Sequence, residues 1–297
     1  MSRLRTPSAL GLAATLLLTV PFWLQWLDPR LNLWDVDDSK NHLIRLYHLE
    51  WLIRNGVWYP RWVPELYLGY GYPLFNYYAP AFYYLTLALK AVTRTDFWDA
   101  FKLSGVFAVL LGASGMYALA RTIWHRTLPA IFAALAFTYA PYVFAVNLYK
   151  RGDIPEALAL ALIPWLLHAT WRVGGSVARA RAAPLGGSSA EPWWAWAKPT
   201  QFARAARRSA ASPGRRSLSP SILYAGLLGA LLILTHNVTA LLGALLATLL
   251  ATYLLSTNPT RRTFLHLLYS ALLALGLSAW FWLPAILEVR FVQLDWL

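Results

Sequence analysis

The stretch that decides the fold is SILYAGLLGALLILTHNVTALLGALLATLLATYLLS, residues 221–256, which contains no Asp, Glu, Lys or Arg. As one helix it would extend about 54 Å, whereas the hydrocarbon core of a bilayer is about 30 Å thick and needs about 20 helical residues. We therefore predict two membrane-spanning helices, 221–236 and 238–256, that meet at "THN", Thr235 to Asn237.

The composition of the whole chain supports an integral membrane protein. It is 58% hydrophobic and only 13% charged, which is unlike a soluble domain. The absence of cysteine excludes disulfides, thiolate nucleophiles and zinc–thiolate sites. Although the net charge is +13, the basic residues lie mostly in loops between apolar runs, so no nucleic acid is expected as a partner.

The apolar runs predict an all-α polytopic membrane protein with about seven transmembrane helices in a single membrane domain, 1–297. The first run follows a basic start, and we expect a retained signal anchor; a cleaved signal peptide is the alternative. The predicted spans are about 8–27, 98–120, 128–148, 155–171, 221–236, 238–256 and 263–285.

Lys and Arg in the loops predict the orientation, because cytoplasmic loops are enriched in these residues. The segment 172–219 carries nine of them against one acid, Glu191, and its Ala, Gly, Ser and Pro content predicts a disordered cytoplasmic loop. The basic N-terminus, "RTIWHR" (121–126) and "NPTRR" (258–262) are expected on the same side. Residues 28–97 then form a long first external loop.

Within that loop, residues 74–92 are apolar enough to be counted as a span. Pro73, Asn76, Pro80 and paired tyrosines favour an interfacial helix over a crossing one. Residues 56–80 are rich in Gly and Pro, which predicts an irregular segment at the interface or lining a cavity.

This topology places three polar clusters on the outer face of the membrane. Ionisable groups at such depth are costly unless they pair or serve a site, so a functional cavity is the hypothesis. The clusters are "WDVDDSKNHLIR" (34–45) with Asp38, His42 and Arg45 at helical spacing, "YKRGDIPE" (149–156) with Arg151, Asp153 and Glu156, and "LTHNV" (234–238) with His236.

Each cluster also has a purely structural explanation, and these explanations stay open. Asp35, Asp37 and Asp38 would suit a solvated loop and a helix N-terminus. In "RGDIPE" an ion pair would stabilise a tight turn before a helix that begins at Pro155. His236 would be a hydrogen-bonded histidine at a helix break.

Several of these motifs carry a resemblance to a known family. The run Asp38, His42, Arg45, then "NGVWYPRW", "GYGYPLFNYYAPAFYYL", "RGDIPEALALALIPW" and "LTHNVTALL", resembles the bacterial membrane proteins called 6-pyruvoyl-tetrahydropterin synthase-related. These are similar to the GT-C glycosyltransferase superfamily, which uses polyprenyl-phosphate-linked sugars. The resemblance covers most of residues 30–290 apart from the basic loop, and it implies no pterin chemistry.

The resemblance implies a GT-C-like module around a lipid-facing cavity, with an acidic residue in each of the first two external loops. Asp38 takes the first position, although its spacing from Gly56 differs by one helical turn, and Asp153 or Glu156 takes the second. His236 lies where relatives place a polar residue, and Tyr72 lies in the most specific segment. Such families usually continue beyond this point, so we expect either a fragment or a minimal module.

Transfer from a sugar-phosphate lipid requires a base for the acceptor hydroxyl and positive charge or a metal for the departing phosphate. Asp38 is the candidate base, in register with His42, while Arg45, Arg151 and His236 are candidates to hold the phosphate. Asp153 and Glu156 would orient the acceptor, pair with Arg151, or bind Mg²⁺ or Mn²⁺.

The expected function is transfer of a sugar from a polyprenyl-phosphate donor to a cell-envelope acceptor on the outer face. The expected partners are this lipid and the membrane lipids. The alternatives are a transporter or flippase of lipid-linked sugars, which needs no base, and a non-catalytic membrane assembly protein.

Overall fold

The structure is a computed structural model that describes residues 6–181, 219–257 and 259–291. Within these residues all regular elements are helical, as predicted, and an isolated antiparallel bridge joins Val63 to Tyr72. The α-helices are α1 (Thr6–Leu18), α2 (Val20–Trp26), α3 (Ser39–Arg54), α4 (Leu74–Tyr77), α5 (Ala81–Thr93), α6 (Phe97–Trp124), α7 (Thr127–Thr138), α8 (Ile154–Arg181), α9 (Pro220–Thr235), α10 (Asn237–Thr257) and α11 (Arg261–Leu287). A π-helical segment, Pro141–Arg151, connects α7 to α8, and single 3₁₀ turns lie at Leu33–Asp35 and Val289–Phe291.

Six helical stretches in the described part of the chain are long and apolar enough to cross a bilayer. They begin and end within a few residues of the predicted runs, except at the C-terminal end of the last one: Ser8–Trp26, Phe97–Trp124, Thr127–Arg151, Ile154–Gly174, Asn237–Thr257 and Arg261–Phe291. The remaining predicted span, 221–236, corresponds to helix α9, which has 16 residues and reaches only about 24 Å. A multi-pass membrane location fits these helices.

The long apolar run 221–256 is divided at His236, which confirms the predicted break. Helix α9 ends at Thr235, His236 has an extended backbone with φ −159° and ψ 122°, and α10 begins at Asn237. The backbone N–H of Thr239 donates to Nδ1 of His236 at 3.3 Å, so the imidazole satisfies one free donor of the first turn of α10. The break therefore has a local cause in the side chain of His236.

Helix α8 lies at the centre of the bundle and contacts α6, α9, α10 and α11. From Ile154 to Ile163 all of its residues are buried, as expected for a helix that is apolar on every side. Helix α6 approaches it at Gly115, where an added Cβ would lie 2.6 Å from Cδ1 of Trp165. The indole of Trp165 is fixed by a 2.9 Å hydrogen bond to the carbonyl oxygen of Leu111.

Helix α8 extends ten residues further than the predicted span, to Arg181. Residues 172–181 continue α8 as helix, whereas the sequence analysis placed them in the loop 172–219. The segment contains Ala and Arg, which are strong helix formers, and the first proline after Pro164 is Pro184, so the helix continues past residue 171 despite Gly174 and Gly175. The rest of the predicted disordered loop, 182–218, lies outside the described residues.

The first loop region combines helices with irregular backbone. Helix α3 begins directly after Asp38 and contains His42 and Arg45, in agreement with their predicted helical spacing. Helix α5 has 13 residues, too few to cross a bilayer alone. Between them the chain is mostly irregular, as predicted for residues 56–80, with left-handed backbone at Gly56, Tyr67, Leu68, Gly69 and Gly71.

Helix α4 ties this loop to the same end of the bundle as His236. The side-chain amide of Asn76 donates to Oε2 of Glu288, just beyond α11, at 2.9 Å. The amide of Asn237 donates to the carbonyl oxygen of Tyr77 at 2.8 Å. The loop therefore lies over the ends of α9, α10 and α11.

We predict that Gly115→Ala destabilises the protein by about 2 kcal/mol, because the new methyl group collides with the fixed indole of Trp165. The matched control is Gly276→Ala in α11, where an added Cβ has no heavy atom within 4 Å. Thermal unfolding in detergent should show a lower midpoint for Gly115→Ala than for Gly276→Ala. Equal midpoints would contradict the close α6–α8 packing.

Candidate functional site

The site is built around the turn that joins the π-helical segment to α8. Gly152 ends that segment in the left-handed conformation, with φ +67°, and Asp153 precedes the first residue of α8. Oδ1 of Asp153 accepts the backbone N–H of Glu156 at 3.1 Å, so Asp153 caps α8. We call Arg151, Gly152, Asp153 and Glu156 the acidic turn.

Arg151 binds both carboxylates of the acidic turn. Its Nη2 lies 2.9 Å from Oδ2 of Asp153, and its Nη1 contacts Oε2 of Glu156. Asp153 and Glu156 are only 4% and 8% exposed, so the pairs are largely shielded from water. One guanidinium thus faces two buried carboxylates. The predicted ion pair is present.

The π-helical winding supports this arrangement through Asn147. The side-chain amide of Asn147 donates to the carbonyl oxygens of Tyr142 and Val143, and its oxygen accepts from Nη1 of Arg151 at 3.0 Å. Tyr142 donates its hydroxyl to Oε1 of Glu156 at 2.7 Å. Such wide helical segments occur frequently at functional sites.

The start of α3 docks against the acidic turn. The backbone N–H of Asp38 donates to the carbonyl oxygen of Arg151 at 2.6 Å. Ser39 lies so close to Gly152 that a Cβ there would be 1.9 Å from its Oγ. Glycine at position 152 is therefore required both by its positive φ and by the approach of α3.

His42 lies one turn further along α3 and points into the site. Its side chain is 1% exposed, and its Nε2 is 3.8 Å from Oδ1 of Asp153. Its Nδ1 is 2.8 Å from the hydroxyl oxygen of Tyr83. Burial, followed by the positive charge of Arg45, lowers the pKa of His42 well below its usual value, so the imidazole is neutral near pH 7.

Arg45 lies one step further from the carboxylates. Its Nη1 donates to the hydroxyl oxygen of Tyr83 at 3.4 Å, and its guanidinium carbon lies 4.2 Å from the centre of the Tyr78 ring. Arg45 is therefore linked to His42 through Tyr83.

His236 brings the third polar cluster to the same place. One ligand atom each from Asp153, Glu156 and His236 lie within 4.8 Å of one another, an arrangement that could hold a metal ion. Burial raises the pKa of the Asp153 carboxyl, against the hydrogen bond from Glu156 and the charges of His236 and Arg151. The structure thus combines all three clusters that the sequence analysis placed on one face.

Two of the predicted site residues are arranged differently. Asp38 is half-buried at the N-terminus of α3, and within the described residues its carboxylate makes no capping or other hydrogen bond. Tyr72 is 39% exposed; its backbone pairs with Val63 and its ring lies 4.9 Å from that of Tyr67. The contacts described for Tyr72 belong to the irregular loop and do not include the acidic turn.

Three residues that contact the site were not predicted from the sequence: Tyr83, Tyr142 and Asn147. Tyr83 is fully buried and joins His42 to Arg45, but it lies in a tyrosine-rich stretch in which its neighbours are more exposed. No local pattern separates Tyr83 from these neighbours. Asn147 and Tyr142 lie in a predicted span, where a polar side chain within an apolar run was the available signal.

We predict that Gly152→Ala disrupts the docking of α3 on the acidic turn, because it adds a clash with Ser39 to a strained left-handed backbone. Gly56→Ala is the matched control, since Gly56 has φ +88° but open space around it. Gly152→Ala should lower the free energy of unfolding by about 2 kcal/mol more than Gly56→Ala does, and its thermal midpoint should be correspondingly lower. An equal loss of stability in both variants would show that the backbone strain accounts for the effect without a clash with Ser39.

The comparisons with known proteins agree with the membrane character of the chain. Residues 75–183 match the family model described as the 6-pyruvoyl-tetrahydropterin synthase related domain, membrane protein. No curated protein and no solved structure matches the chain. The matched range is less than half of the chain; it includes Tyr83 and the acidic turn but neither Asp38 nor His236. Over that range, the chain is similar to the membrane proteins of the 6-pyruvoyl-tetrahydropterin synthase related family.

Proposed function

We propose that this protein is a GT-C-type glycosyltransferase, which moves a sugar from a polyprenyl-phosphate donor to a cell-envelope acceptor. The observation that supports this most is an apolar cavity between the helices, whose lining residues nearest the polar site lie one helical turn from His236. A lipid-linked sugar has a charged phosphate head and a long apolar chain, so its binding site needs both environments next to each other.

The apolar cavity has a volume of about 270 Å³ and lies between α8, α9, α10 and α11. Its lining includes Leu166, Leu232, Ala240 and Ala274. Leu232 and Ala240 are joined to His236 by backbone hydrogen bonds of 3.3 and 2.9 Å. The cavity therefore begins one helical turn from the polar site and continues between the helices, where a prenyl chain would be shielded from water.

Asp38 is the proposed general base. Oxygens of Asp153 and Glu156 already accept hydrogen bonds from Arg151, Tyr142 and the backbone of α8, whereas the carboxylate of Asp38 is half-buried and free among the described residues. Asp38 would take the proton of the acceptor hydroxyl as its oxygen bonds to the anomeric carbon. The bond from that carbon to the phosphate breaks, and polyprenyl phosphate leaves with inversion.

Arg151, Arg45 and His236 are proposed to hold the phosphate. The side chain of Arg151 is 32% exposed although it binds two carboxylates, so part of the guanidinium faces open space. Arg45 would supply a second positive charge, and its guanidinium is held by a hydrogen bond to the hydroxyl oxygen of Tyr83. Charge-assisted hydrogen bonds of this kind stabilise the negative charge that develops on a leaving phosphate.

The proposed side of the membrane is the outer one. The acidic turn, His236 and Glu288 lie at one end of the bundle, whereas "RTIWHR", the basic segment and Arg261 and Arg262 follow or precede the opposite ends of the helices. Positive residues concentrate on the cytoplasmic side, so the polar site is proposed to face outward.

We predict that Asp38→Asn lowers the rate of sugar transfer by about 10²–10⁴-fold, because the amide cannot take up the proton of the acceptor hydroxyl. Purified protein in liposomes would be given a panel of polyprenyl-phosphate sugars, and loss of sugar from each lipid would be measured. Asp37→Asn is the matched control, since Asp37 is the exposed neighbour on the same turn and should leave transfer unchanged.

Other outcomes favour the alternatives. If wild type and Asp38→Asn both bind the lipid, neither turns it over and both carry it across the bilayer, the protein is a transporter or flippase. If neither variant binds or moves the lipid, the transferase proposal fails and an assembly role is favoured.

A further inference from the structure

We propose that Asp153, Glu156 and His236, together with His42, form a binding site for one divalent transition-metal ion, and that Zn²⁺ is the ion that fits it best. This proposal concerns metal binding itself. It does not depend on whether the protein transfers sugar.

The first observation is the convergence of ligand atoms from two separate helix junctions. One ligand atom of each of Asp153, Glu156 and His236 lies within 4.8 Å of the other two. Around a four-coordinate Zn²⁺ with bonds of about 2.1 Å, neighbouring ligand atoms are about 3.4 Å apart. Small side-chain rotations would therefore bring these three atoms into a common coordination sphere.

The second observation is the unsatisfied nitrogen of His42. This side chain is 1% exposed, and its Nε2 has no hydrogen-bond partner among the described residues. The same nitrogen lies 3.8 Å from Oδ1 of Asp153. A buried polar atom without a partner is costly, and a metal ion at the carboxylate would bind it.

Both imidazoles are already oriented through their other nitrogen. Nδ1 of His42 is 2.8 Å from the Tyr83 hydroxyl, and Nδ1 of His236 is 2.8 Å from the hydroxyl of Thr239. Metal-binding histidines characteristically use one ring nitrogen for such a bond and the other for the metal. When the Tyr83 oxygen accepts from Nδ1–H of His42, the lone pair of its Nε2 is available. In His236, metal binding through Nε2 requires the tautomer in which Nδ1–H donates to the Thr239 hydroxyl, in place of the 3.3 Å bond that Nδ1 accepts from the N–H of Thr239.

The charge balance of the acidic turn also favours a cation. Arg151 supplies one positive charge for two carboxylates, and it pairs with Oδ2 of Asp153 and Oε2 of Glu156. Arg45 contacts Tyr83 and Tyr78 instead. One negative charge therefore remains in a buried place, where an additional cation stabilises it.

The donor atoms indicate which ion. Mg²⁺ prefers six oxygen ligands and retains water, whereas two imidazoles and two carboxylates suit Zn²⁺ and, more weakly, Mn²⁺. The carboxylates alone would suit Mg²⁺ or Mn²⁺. The nitrogen ligands of His236 and His42 disfavour Mg²⁺.

The test is Zn²⁺ binding by the full-length protein in detergent, with any affinity tag removed and the protein treated with a chelator beforehand. Zn²⁺ would be titrated against a competing fluorescent chelator. We expect one Zn²⁺ per chain, at least tenfold weaker binding in His236→Ala and in Asp153→Asn, and no displacement by millimolar Mg²⁺. The control His125→Asn removes an exposed histidine at the far end of α6, where Asn tolerates the left-handed backbone, and should bind Zn²⁺ like wild type.

Absence of bound Zn²⁺, or equal binding in all variants, would overturn the proposal. Because ligand variants can fail to fold, X-ray absorption at the zinc edge of the wild-type protein gives an independent answer. We expect two imidazole nitrogens at about 2.0–2.1 Å and carboxylate oxygens at about 2.0–2.2 Å. A shell with no imidazole would exclude the site, and a shell with only one would exclude the joint ligation by His42 and His236.

Discussion

The double ion pair of Arg151 with Asp153 and Glu156 is the interaction on which the rest of the site depends. It holds two carboxylates together at less than 10% exposure, which neither could tolerate without a cation. It also fixes the N-terminus of α8, the central helix of the bundle, through the cap at Asp153. The charged site and the apolar core are therefore built on the same few residues.

The other elements of the site are arranged by their contacts with this turn. Helix α3 docks on the carbonyl of Arg151 and thereby brings His42 to Asp153. The break at His236 brings a second imidazole within 4.8 Å of the two carboxylates. Residues separated by about 190 positions in sequence thus meet at one point, because each lies at a helix end on the same side of the bundle.

Much of this could be predicted from the sequence because membrane helices are governed by simple constraints. The length of the run 221–256 requires a break, and His236 is the polar residue near its middle. The spacing of Asp38, His42 and Arg45 and the acid–base content of "RGDIPE" indicated the polar side chains that would need partners. The family predicted from "RGDIPE" and the tyrosine-rich segment is supported by the match over residues 75–183.

The details that the sequence analysis missed depend on three-dimensional packing. Tyr83 differs from its neighbouring tyrosines in being fully buried against His42 and Arg45 of α3, which no local pattern reveals. The end of α8 was predicted too early because hydrophobicity falls after residue 171, whereas the helix continues to Arg181 through a segment that is too polar to count as a span. Tyr72 was selected by resemblance alone, and its contacts lie within its own loop.

The π-helical segment Pro141–Arg151 has a consequence for how the site is tuned. Its hydrogen bonds span five residues instead of four, so each residue turns less about the axis than in an α-helix. The direction of Arg151 is therefore set by winding that accumulates over the whole segment, between Pro141 and the left-handed Gly152. Rewinding it as an α-helix would change the direction of the guanidinium relative to the two carboxylates. The length and winding of this segment thus set the angle at which the fixed positive charge of Arg151 meets the two buried acids.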